Sequence, residues 1–95
     1  MALKIVVYSP LLYMQQEHYY ARMRNRLQTQ VGMRIKELRS QEGISQEHFA
    51  LRIEMDRSYL ASIEAGQRNV TLQNLAKISK GFNISLEEFF KRIIL

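Results

Sequence analysis

Three glycines and four cap residues cut most of this chain into pieces too short for anything but small helices. Gly43, Gly66 and Gly81 each stand where a stretch of helical periodicity stops, the position just past a helix end where a left-handed backbone favours glycine. Ser45, Asp56, Thr71 and Ser85 stand where the next stretch begins, and each side chain is short enough to accept a hydrogen bond from a backbone N–H of the first turn. Ser85 with Glu88 has the spacing of a capping box. Gly32 falls inside a periodic stretch and does not fit this scheme. Strand and helix patterns do not alternate, so the expected fold is all-α: a compact five-helix domain over residues 31–95, preceded by an N-terminal extension over residues 1–30.

The first helix of the domain is expected from about Val31 to Gln41, with Val31, Ile35 and Leu38 on one face. The second and third lie between Ser45 and Ala65. The fourth, about Leu72 to Lys80, turns Leu72, Leu75, Ala76 and Ile78 inward. In the fifth, Leu86, Phe89, Phe90, Ile93 and Ile94 form a full apolar stripe. With 95 residues the chain supports one small core, and without cysteine it must hold by helix packing or by oligomerising. Phe82, Ile84, Phe89, Phe90 and Ile93, with Ile94 and Leu95 behind them, concentrate more large apolar surface than such a core needs. That excess is expected to be the face of a homodimer.

Residues 1–30 differ in kind. Four of the five tyrosines lie there, and Arg22, Arg24 and Arg26 follow one another at alternate positions without an acidic neighbour. Ile5 to Tyr8 reads as a short strand or an extended arm, and Ser9-Pro10 as the start of a helix from Leu11 to about Leu27.

The most informative stretch is Gln46 to Ala65, QEHFALRIEMDRSYLASIEA. Two short helices that cross steeply need large apolar residues at the crossing, one small residue where the backbones approach, and a tight turn. Phe49, Ile53, Met55, Leu60 and Ile63 supply the first, Ala50 the second, and Ile53-Glu54-Met55 the third, with Asp56 as cap. From about Gly32 to Phe90 the sequence resembles the helix-turn-helix domains of the Cro and phage-repressor family. Within it the likeness is to controller proteins of restriction–modification systems, through Ile44-Ser45-Gln46-Glu47, Asp56-Arg57-Ser58-Tyr59, Ile63-Glu64, Arg68-Asn69 and Ile84-Ser85-Leu86. One departure is Glu54, at a turn position that is often Gly or Asn in the family. A left-handed backbone there costs about 1–2 kcal/mol.

The resemblance implies a transcription regulator that binds a pseudo-palindromic operator as a homodimer. The recognition helix enters the major groove by its N-terminal residues, so Arg57, Ser58, Tyr59, Ala61 and Ser62 are the candidates for base reading. Arg57 leads, because a guanidinium donates a bidentate pair to guanine O6 and N7. Gln46, Arg68, Asn69, Arg34 and Arg39 are the candidates for the DNA backbone.

Other readings have less behind them. His18 and His48 lack cysteines and ligand spacing, so no metal or other cofactor is expected. No nucleophile, base and orienting group assemble, and no phosphate-binding glycine loop is present, so no enzyme is expected, nor a small-molecule ligand. The longest apolar run falls far short of the ~20 residues of a membrane span and no signal peptide is evident, which points to the cytoplasm. A competing reading is an antitoxin-like or adaptor protein whose main partner is another protein, held by the tyrosine- and arginine-rich start. The net charge of +5 favours polyanions but divides unevenly: residues 1–30 hold +3 of it, and the domain that resembles a DNA reader only +2.

Overall fold

The computed structural model describes residues 10–93. In order along the chain stand α1 (Pro10–Glu42), α2 (Gln46–Arg52), α3 (Arg57–Glu64), α4 (Leu72–Gly81) and α5 (Leu86–Phe90). There is no strand among the described residues. Ile5 to Tyr8, Ile94 and Leu95 lie outside them.

The helix expected for the extension and the first helix of the domain are one element. α1 runs for 33 residues, about 50 Å, without a break near residue 30. Gly32 is the only breaker between Leu11 and Glu42, and it is there for another reason. A Cβ at Gly32 would stand 2.5 Å from the backbone oxygen of Glu64 and 2.6 Å from that of Ile63, so α1 and α3 touch where only glycine fits. The ~1 kcal/mol that glycine costs inside a helix is offset by that approach.

All four expected caps form. Ser45 accepts from the backbone N–H of His48, Asp56 from that of Tyr59, Thr71 from that of Asn74 and Ser85 from that of Glu88, each at 3.0–3.1 Å. The return half of the capping box is replaced: the Glu88 carboxylate lies 3.6 Å from Lys91 Nζ and 3.9 Å from Arg34 Nη2. Gly43 and Gly66 are left-handed as expected, but Gly81 is not. It is the last residue of α4, where a Cβ would collide with the Ile53 side chain, and the left-handed residue is Asn83 at φ 59°.

The core joins Val31, Ile35 and Leu38 of α1 to Phe49, Ala50 and Ile53, then to Leu60, Ile63, Leu75, Ile78 and Phe89. Phe82 stacks on Phe49 with ring centroids 4.0 Å apart. The inward face of α4 is Leu75, Ile78 and Ser79; Leu72 and Ala76, expected inside, are exposed. Leu72 stands one position past the cap, where the helix has not yet turned toward the core. Phe89 is wholly buried in its own chain, so it is withdrawn from the expected dimer face, while Phe82, Ile84, Phe90 and Ile93 stay partly exposed. No helix of the described residues is long and apolar enough to cross a membrane.

Candidate nucleic-acid interface

The crossing of α2 and α3 is built from the residues their spacing selects. Phe49, Ala50, Ile53, Leu60 and Ile63 are buried, and Met55 packs partly against them. Between the helices the chain turns tightly, with the Met55 amide donating to the Ala50 carbonyl at 2.8 Å and the Glu54 amide to that of Leu51 at 3.2 Å. Glu54 takes the left-handed conformation, φ 54°, and so carries the strain its position implied. Lys77 Nζ donates to the Glu54 carbonyl at 3.3 Å, which steadies the turn from α4.

A buried carboxylate fixes the far end of α3. Glu64 is 3% exposed and accepts three hydrogen bonds: from Arg39 Nε and Nη2, both at 2.7 Å, and from Gln46 Nε2 at 3.0 Å. Arg39 also donates to the Ile44 carbonyl at 3.0 Å. The hydrogen bonds it donates to Glu64 hold the Arg39 guanidinium above its ordinary pKa, against the opposing effect of burial. The network joins α1, the start of α2 and the end of α3, so the orientation of α3 is set by charge as well as by packing. Sequence reasoning gave Glu64 no role beyond its place in the resemblance. Its signal was there: it follows Leu60 by four positions, which places a carboxylate on the buried stripe.

Two of the expected backbone contacts are therefore corrected. Arg34 is 5% exposed and spends its guanidinium on the carbonyls of Phe89 and Glu88, at 2.8 and 2.9 Å, and on Glu37 at 2.8 Å. It clamps α5 to α1. Arg39 is committed to Glu64. Each is held by its own chain, and neither is free to reach a phosphate. Gln46 is half-buried and keeps one amide hydrogen beyond the one given to Glu64.

The exposed face of α3 is different. Arg57 and Ser58 open the helix and are exposed, and Arg57 makes no hydrogen bond or ion pair among the described residues. Tyr59, half-buried, accepts from Asn74 Nδ2 through its hydroxyl at 3.1 Å. Ser62 Oγ donates to the Tyr59 carbonyl at 2.7 Å and accepts from Arg68 Nε at 3.0 Å, while the Arg68 guanidinium lies 5.6 Å from the centre of the Tyr59 ring. Arg68 is thus fastened to α3 although it stands beyond it in sequence. Ala61 is half-buried and Asn69 exposed. The structure brings Arg57, Ser58, Tyr59, Ala61, Ser62 and Arg68 onto one short helix and its edge.

Comparison with known proteins agrees with this geometry. A family model described as helix-turn-helix matches residues 35–89. The chain is 47% identical over 70 residues to control protein C.MunI of a Mycoplasma species, a match covering 73% of this chain and 95% of that protein. It is 36% identical over 63 residues to control protein C.BamHI of Bacillus amyloliquefaciens, covering 65% of this chain and 78% of that one. Among solved structures it is similar to the restriction–modification controller protein C.AhdI of Aeromonas hydrophila, with a TM-score of 0.64, 41% identity, and coverage of 66% of this chain and 96% of that one. The controller protein C.Esp1396I, solved as a tetramer with its natural 35 base-pair operator, gives a TM-score of 0.66 and 36% identity over 70% of this chain and 88% of that one.

Proposed function

The chain belongs to the helix-turn-helix family, and on that premise we propose that it is a sequence-specific DNA-binding transcription regulator acting as a homodimer on a pseudo-palindromic operator. By similarity to the controller proteins it acts on its own promoter. Residues 31–95 are the reading head, and residues 10–30 extend its first helix. The protein works in the cytoplasm and performs no catalysis.

The observation that carries this reading is Arg57. Most cations around the α2–α3 pair are engaged: Arg34 and Arg39 in the scaffold, Arg52 with Glu42, Lys77 with Glu54. Arg57 opens α3 exposed and unpartnered among the described residues, on a helix anchored at both ends. A guanidinium so placed suits guanine O6 and N7 in the major groove, with Ser58 beside it and Tyr59, Ala61 and Ser62 lining the approach. Arg68, Asn69 and Gln46 hold the DNA backbone. The dimer face is what remains of the apolar C-terminus after Phe89 is withdrawn: Phe82, Ile84, Phe90 and Ile93.

Titration of wild type and variants against the DNA upstream of the coding sequence and a scrambled duplex, at two salt concentrations, tests the assignment. Arg57→Ala should erase about 1–3 kcal/mol of discrimination between them. Arg68→Ala should weaken both alike and lower the slope of log affinity against log salt by about one. Equal loss of discrimination in the two variants would overturn this division of roles.

A further inference from the structure

The extension of α1 carries cations that the reading head does not use, and one of them reaches it. Arg24 lines a recess with Leu27 and Gln28 of α1, Arg68 and Asn69 of the connection after α3, and Phe90 of α5. Arg24 is exposed and makes no hydrogen bond or ion pair among the described residues. No carboxylate lines the recess, so the two arginines that border it have no counter-charge from the chain there. Such a pairing is unfavourable alone and becomes favourable when an anion enters.

The position of Arg24 is set by packing further along the helix. The backbone and Oγ1 of Thr29 stand 3.1 Å from where a Gly66 Cβ would be, so α1 leans on the turn that ends α3. Arg24 lies five residues earlier on that same helix. Arg68, in turn, is tied to α3 by Ser62 and Tyr59. A duplex that seats α3 in its major groove therefore brings its backbone to Arg68, and Arg24 shares the recess beside it.

We propose that Arg24, together with Arg68, binds a backbone phosphate of the duplex that α3 reads. This rests on the DNA-binding reading above and extends it onto the N-terminal extension. The chemistry is a charge-assisted hydrogen bond from guanidinium to phosphate oxygen, without base preference.

The test measures affinity of the full chain for its upstream DNA across a salt series, for wild type, Arg24→Ala, Arg24→Lys and Arg22→Ala. Arg22 lines a different recess with Tyr19, Met23 and Arg26, so its loss removes the same charge from another side of the helix. Arg24→Ala should lower the salt slope by about one and weaken specific and scrambled DNA alike, while Arg24→Lys and Arg22→Ala keep the wild-type slope. Equal slopes for the two alanine variants overturn the site and leave only bulk charge. An unchanged slope with weakened self-association in sedimentation overturns it in favour of a contact between protein chains. If wild type binds neither duplex, the DNA reading falls and this site with it, whereas wild-type binding with an unaltered Arg24→Ala slope overturns this site alone.

Discussion

The two stretches of α1 share one helix and put the same residue type to opposite uses. From Val31 to Glu42 the helix has α3 and α5 against it; Val31, Ile35 and Leu38 are buried, and Arg34 and Arg39 are held by carbonyls and carboxylates of the same chain. From His18 to Gln30 no side chain is fully buried, Tyr19 and Tyr20 are more than half exposed, and Arg22 and Arg24 have no partner among the described residues. An opposing surface decides the difference. Where one exists, an arginine is desolvated and must be satisfied internally, so it becomes scaffold. Where the side chain stays exposed, as at Arg22 and Arg24, it keeps its donors for something outside the chain.

Among substitutions to alanine, the largest effect should come from removing a scaffold cation. Arg39→Ala leaves the Glu64 carboxylate, whose side chain is 1% exposed, without its bidentate partner, and breaking a buried pair in this way costs about 3–5 kcal/mol. Arg22→Ala, on the other stretch, should change stability by less than about 0.5 kcal/mol. Urea unfolding of both variants measures the contrast. Comparable small losses would show that Arg39 and Glu64 are as dispensable as a surface pair.

Next in size is the contact that allows only glycine. Helix propensity favours Gly32→Ala by about 1 kcal/mol, yet the added methyl meets backbone oxygens of Ile63 and Glu64, which cannot swing aside as a side chain can. The variant should lose about 1–3 kcal/mol net. Asn25→Ala, exposed on the extension, should instead gain a few tenths. Opposite signs for two substitutions to the best helix former in one helix would sharpen the comparison. A gain at both would mean that α1 and α3 do not touch at Gly32.

These positions also show what could be read from the chain alone. The four caps were legible because capping is local: Ser45, Asp56, Thr71 and Ser85 each accept from the third residue on, and nothing distant is required. The α2–α3 crossing was legible because its apolar spacing has few other uses. Arg34, Arg39 and Glu64 were misplaced or missed because their roles depend on what lies across the interior. Even so, Arg34 falls within the stripe of Val31, Ile35 and Leu38, and a charge on a buried stripe signals an internal partner. Gly32 and Gly81 were opaque for the same reason: each is fixed by an approach of another segment, which no local pattern encodes. The residues proposed to read bases form the opposite case. Arg57 is legible by position and free of internal duty, so the structure constrains it least.

The smallest change in stability should follow the most disruptive local substitution, provided it falls in the right stretch. Proline inside a helix removes a hydrogen bond and clashes with the preceding turn, at about 3 kcal/mol or more when the helix is packed. Ile35→Pro, in the core, should therefore abolish cooperative folding. Tyr20→Pro should not, because Tyr19 and Tyr20 are exposed and a helix without packing is marginal in water. The turns ahead of the substituted position would unravel without taking the core with them. The expected result is lower helical ellipticity with an unfolding free energy in urea within about 0.5 kcal/mol of wild type. A loss of about 2 kcal/mol or more would place the extension inside the cooperative unit and end the distinction between the two stretches of α1.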